Sequence, residues 1–133
     1  MGTERTNHAV AVVDGKLYAV GGMTYYNDWD EPYVSTLRSV ERYDPAMNVW
    51  EEVGPMGTER TDHAVSVVDG KLYAVGGTLT AWLPWTPHVR RRFDGDGFLS
   101  SLERYDPATN VWEAVAAPMG TARLFPLAVC LLK

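Results

Sequence analysis

The chain has 133 residues, 46% hydrophobic and 22% charged, with a formal net charge of −5, a composition that fits one ordinary globular domain and excludes a disordered polar chain. The acidic balance argues against nucleic acid or an anionic membrane as a general partner, since both call for a basic surface. The single cysteine, Cys130, excludes an internal disulfide or a thiolate metal cluster and suits a reducing, cytoplasmic setting.

Met1-Gly2-Thr3-Glu4-Arg5 carries no apolar leader, and the longest apolar run, residues 127–132, is too short for a bilayer; the expectation is a soluble chain without a targeting segment. Residues 8–13 and 16–20 flank Asp14-Gly15, a dipeptide whose ready positive φ predicts a two-residue hairpin. A long loop is predicted over residues 23–39. A third strand over 40–43 stops at Asp44-Pro45 and a fourth over 49–53 stops at Gly54-Pro55, because proline cannot donate to a ladder. The unit then starts again. Residues 1–22 recur at 56–77 with two changes, Asn7/Asp62 and Ala11/Ser66, and the block 40–50 recurs at 102–112. A third opening stands at Met119-Gly120-Thr121-Ala122-Arg123, so the period is 55 residues from Met1 to Met56 and 63 from Met56 to Met119. Asp69-Gly70 repeats the hairpin, residues 102–105 and 111–115 repeat the last two strands, and a second long loop covers 78–101. The predicted division is 1–55, 56–118 and a partial third unit, 119–133. The strands alternate only loosely and are rich in Val, Tyr and Trp, as expected where both faces of a sheet are covered.

Paired glycines after an aromatic strand (Gly21-Gly22, Gly76-Gly77) precede a tyrosine and a tryptophan separated by six residues (Tyr43 and Trp50, Tyr105 and Trp112). This pattern resembles the kelch repeat. The resemblance implies an all-β fold: a β-propeller fragment of two four-stranded antiparallel blades, innermost strand first, plus one extra strand. It further implies glycines at close backbone approaches and Tyr and Trp filling the space between blades. Rings of this kind are usually six- or seven-bladed. Two blades leave two faces uncovered, so the expected partner is the chain itself, as a homotrimer giving 3 × 2 = 6 blades head to tail, with four- or eight-bladed closure from two or four chains as the alternatives. Residues 124–133 occupy the place of a further innermost strand, either pairing with a neighbouring chain or shielding an edge.

The connections between strands two and three, and the links between blades, are expected on one face. The two long loops differ in length, 17 residues against 24, and share almost no sequence, so variation is concentrated there. Tyr25, Tyr26, Asp28, Trp29 and Tyr33 in the first loop, and Trp82, Trp85, Arg90, Arg91, Arg92 and Phe93 in the second, are the residue types that dominate recognition surfaces. Pairing of Asp28, Asp30 and Glu31 with the three arginines is the alternative use of the same loops. Resemblance to BTB-kelch substrate adaptors implies that Arg5 and Arg60, at the blade links, help to hold an acidic peptide. No cofactor, metal or catalytic constellation is predicted: His8 and His63 are equivalent framework positions, and the oxygen spacing around Asp94 and Asp96 does not make a calcium loop. The sequence therefore points to a non-enzymatic protein- or peptide-binding module, or alternatively to an engineered or structural self-assembling scaffold.

Overall fold

The computed structural model of the chain describes residues 1–26, 33–79, 97–117 and 120, Tyr33 by its backbone. Asp14 and Gly15 both adopt positive φ, 50° and 71°, as do Asp69 and Gly70, 49° and 73°, the backbone that lets a two-residue turn follow the right-handed twist of its strands. These turns join β1 (Ala9–Val13) to β2 (Lys16–Val20) and β7 (Ala64–Val68) to β8 (Lys71–Val75). The outer pairs are β5 (Val40–Asp44) with β6 (Val49–Val53) and β9 (Leu102–Asp106) with β10 (Val111–Val115). In the turn after β5, the Asp44 carboxylate accepts from the N–H of Ala46 at 2.9 Å and Asn48 takes φ 55°, the local side-chain bonding that favours Asp and Asn in turns.

Two antiparallel four-stranded sheets result, in the order β1-β2-β5-β6 and β7-β8-β9-β10. This is the blade pattern predicted from the sequence. Tyr43 lies directly opposite Trp50 and Tyr105 opposite Trp112, with ring centroids 5.2 and 5.3 Å apart.

One expectation is corrected. Residues 23–39 are not simply a loop: β3 (Met23–Tyr26) and β4 (Tyr33–Thr36) form a two-stranded antiparallel hairpin, because their β-branched and aromatic residues pair as readily as a framework strand does.

The blades meet through one face of each. Tyr18, Val20 and Val40 of the first press on Leu72, Ala74 and Tyr105 of the second, all at 1% exposure or less, with Met56 from the link sealing the seam. Tyr18 and Tyr105 meet edge to face at 5.8 Å and 60°, the arrangement that the ring quadrupoles favour. Each fully buried Val or Leu contributes about 1.5–3 kcal/mol. The paired glycines lie where backbone crosses backbone: a Cβ on Gly21 would stand 2.6 Å from the Arg60 carbonyl oxygen, and one on Gly77 2.6 Å from that of Thr61.

Candidate functional site

The link and the connection between the second and third strands emerge together on one face, as predicted. Thr6 bridges to Met23, and Thr61 to Thr78. Across the junction Gly22 N–H donates to the Arg60 carbonyl at 2.7 Å, and Arg60 N–H to that of Leu37 at 3.1 Å.

Arg5 and Arg60 are on this face, with their guanidinium groups turned inward and away from solvent. Their side chains have 0% exposure. Arg60 donates to Glu103 Oε2 from Nε at 3.0 Å and from Nη2 at 2.8 Å, and further to the carbonyls of Gly76 and Ser101 and to the Ser101 hydroxyl. Arg5 repeats the pattern with Glu41 at 2.7 Å, Gly21 and Ser39. The carboxylates also hold the start of each link: Gly57 N–H donates to Glu103 at 2.6 Å and Gly2 N–H to Glu41 at 2.5 Å. Burial pushes the Glu41 carboxyl up, but the Gly2 N–H and the Arg5 guanidinium together outweigh it and hold the group below its ordinary value. The arginines clamp each link to the third strand of its own blade; the Arg60 guanidinium, with every N–H taken, has no donor to spare for an acidic ligand, and Arg5 keeps only its buried Nε unpaired. Glu41 and Glu103 were missed in the sequence, although both recur in step in the two copies of the block Glu-Arg-Tyr-Asp-Pro.

His63 lies against the junction, 8% exposed, with neither ring nitrogen hydrogen-bonded. Burial first, then the charges of Arg60 and His8, push it down to about 3, so it is neutral at pH 7. Among the described residues no three His, Cys, Asp or Glu side chains converge on a point where a metal ion would sit.

Large apolar side chains are exposed in the variable segments of this face. Tyr25 and Tyr26 at the end of β3 are 48% and 47% exposed. Leu79 and Phe98, flanking the second connection, are 38% and 44% exposed, and sequence reasoning passed over both. The Thr36 hydroxyl donates to the Leu79 carbonyl at 2.6 Å, so the hairpin of the first blade adjoins the second connection. A small open depression of about 210 Å³, lined by Glu4, Arg5, Thr6, Met23, Thr24 and Tyr25, is below the usual size of a small-molecule site. Asp28, Trp29, Trp82, Trp85, Arg90, Arg91, Arg92 and Phe93, the side chain of Tyr33 and the tail 121–133 fall outside the described residues.

The kelch motif matches residues 4–57 and again, in a second form, residues 59–118. Kelch-like protein 33 of Homo sapiens is 32% identical over 130 residues, 97% of this chain and 20% of that protein. Kelch-like protein 36 of Rattus norvegicus is 33% identical over 84% of this chain and 15% of its own length. For Kelch-like protein 9 of Mus musculus the identity is 38% over 61% of this chain and 13% of that one. The chain thus spans a fifth or less of the length of these relatives. Among solved structures, that of YjhT superposes with a TM-score of 0.70 at 22% identity, covering 92% of this chain and 40% of that one; the likeness is one of fold. The blade order, the paired glycines at the backbone crossings and the motif matched in both units place the chain in the kelch-repeat family.

Proposed function

We propose that the chain is a non-enzymatic protein-binding module that reads its partner with the face carrying the hairpin β3–β4 and the second connection. The supporting observation is a division of labour on that face. The framework arginines are consumed by Glu41 and Glu103, whereas the segments that differ between the two units expose Tyr25, Tyr26, Leu79 and Phe98. Large rigid side chains of this kind contribute contact area at low entropic cost. The partner surface is accordingly one with apolar or aromatic anchors, with Trp82, Trp85 and the arginines 90–92 extending the contact; an acidic peptide held by Arg5 and Arg60 is set aside.

The test is quantitative capture from cell lysate with three baits: the chain itself, Tyr25→Ala with Phe98→Ala, and Met47→Ser as a control on the opposite rim. Proteins lost from the second bait and retained by the third support the reading. Identical capture by all three refutes it. A second reading, a self-assembling scaffold, is favoured by the near identity of residues 1–22 and 56–77; under it no protein depends on Tyr25 or Phe98.

A further inference from the structure

Among the described residues, the lysines and arginines come as equivalent pairs, one from each unit, and each is neutralised within its own blade. Arg5 and Arg60 bind Glu41 and Glu103, Lys16 and Lys71 bind Asp44 and Asp106, and Arg42 and Arg104 bind Glu51 and Glu113. Arg38 is the exception on both counts. It is exposed, and among the described residues its side chain makes no ion pair or hydrogen bond. Its place in the second unit, between Leu99 and Ser101, is taken by the neutral Ser100.

The backbone that presents Arg38 is held from several directions. Leu37 N–H donates to the Gly22 carbonyl at 2.8 Å, and the Leu37 carbonyl accepts from Arg60 N–H at 3.1 Å. The Arg38 carbonyl accepts from Met56 N–H at 2.9 Å. That of Ser39 accepts from Gly21 N–H at 3.1 Å and from Arg5 Nη1 at 3.0 Å. Buried Arg5 thus clamps the stretch of chain from which exposed Arg38 projects. Two residues before Arg38, the Thr36 hydroxyl bonds the Leu79 carbonyl, so Arg38 stands at the foot of the hairpin that carries Tyr25 and Tyr26 and close to the segment that carries Leu79. A charge on so fixed a support has less freedom to lose when it is bound.

We infer that Arg38 reads one carboxylate of a protein partner, an aspartate or glutamate side chain lying beside the apolar group that Tyr25, Tyr26, Leu79 and Phe98 receive. This role rests on the protein-binding reading and supplies its polar half. The planar guanidinium fork matches a carboxylate bidentately, and the exchange is most favourable where apolar neighbours exclude water. The partner offers a single acid and not an acidic run. Glu4 and Glu59 are exposed on the links of the same face, the chain carries a net charge of −5, and like charges brought together cost affinity. A doubly charged phosphate meets the same repulsion.

The probe is a displayed library of random dodecapeptides, selected on the full chain and remeasured as amidated synthetic peptides by fluorescence anisotropy. The selected peptides should carry one Asp or Glu close to an aromatic or large aliphatic residue. Arg38→Ser should weaken them about tenfold to a hundredfold, the range of a hydrogen bond to a charged group. Arg38→Lys should recover part of that loss, since it keeps the charge without the fork. Changing the acid of the peptide to its amide should weaken binding to the chain and cost nothing further with Arg38→Ser. The urea midpoint of Arg38→Ser should not move, because the side chain is exposed and unpartnered. Peptides that need Tyr25 and Phe98 but carry no acid, or that bind Arg38→Ser as tightly as the chain, overturn the inference and leave the protein-binding reading standing. Peptides indifferent to Tyr25→Ala with Phe98→Ala overturn that reading and the inference with it, as does a library that yields no binder.

Discussion

Replacing Glu103 by alanine separates a structural arginine from a ligand-reading one. In the chain, Arg60 and Glu103 have side-chain exposures of 0% and 6% and are joined from two guanidinium nitrogens to one carboxylate oxygen. Removing the carboxylate leaves a buried cation facing only neutral acceptors, and the N–H groups of Gly57 and Thr58 lose theirs as well. Breaking a buried pair by deleting one partner costs about 3–5 kcal/mol, a large share of the roughly 5–15 kcal/mol that holds a typical domain. Glu103→Gln keeps one acceptor oxygen, for Arg60 or for Gly57 but not for both, and turns an NH2 toward the other donor, so it should recover only part of the loss. Replacing both partners, Arg60→Met with Glu103→Leu, should recover most of the loss, since no charge is then left buried. Glu41→Ala should cost less than Glu103→Ala, because Arg5 Nε already lacks a partner and the Arg5–Glu41 pair is joined through one guanidinium nitrogen where Arg60–Glu103 is joined through two. The assay is urea unfolding followed by fluorescence, with the midpoint read at constant m-value. A loss under about 1 kcal/mol for Glu103→Ala, the range of exposed pairs, would mean that Arg60 is wetted and free to bind, and would restore the role drawn from the adaptor resemblance.

Three further outcomes are expected. His63 is neutral in the fold and held near 3 by burial and by Arg60 and His8, against about 6.5 in an unfolded chain. Its contribution is fully present above about pH 6.5 and is lost as pH falls toward 3, at up to about 1.4 kcal/mol per unit; His8, also lowered by burial and by Arg5, adds in the same direction. Urea midpoints at pH 7.5 and 5.5, where histidines alone among the side chains ordinarily titrate, should show a loss that His63→Gln substantially removes, and an equal loss in that variant contradicts the assignment. Gly77→Ala should cost well over 2 kcal/mol in thermal unfolding, because φ +92° is joined there by a 2.6 Å approach to the Thr61 carbonyl. Gly15→Ala should cost only about 1 kcal/mol, since φ +71° is its sole penalty and the space is open; equal losses would show that conformation and not close approach governs both. Tyr25→Ala should leave stability within about 0.5 kcal/mol, as its 48% exposure requires, so that any binding it loses is not lost through unfolding.

What the sequence made legible was what neighbours in the chain decide. Asp14-Gly15 and Asp69-Gly70 give their turns from two residues alone, and the recurrence of residues 1–22 gives the blades from one comparison. The hairpin β3–β4 was hidden because nothing between Tyr26 and Tyr33 marks a tight turn, so its two short strands read as loop. The burial of Arg5 and Arg60 was hidden for another reason: the partners that neutralise them lie 36 and 43 residues away, and a charge alone in sequence reads as exposed. The same limit, turned around, explains the most informative contrast in the molecule. Val10 and Val65, Tyr43 and Tyr105, Tyr18 and Tyr73 are the same residues on the same strands, yet one of each pair is more deeply buried than the other. Propensity, pattern and turn chemistry are equal within each pair, so the difference is purely the presence or absence of a neighbouring blade.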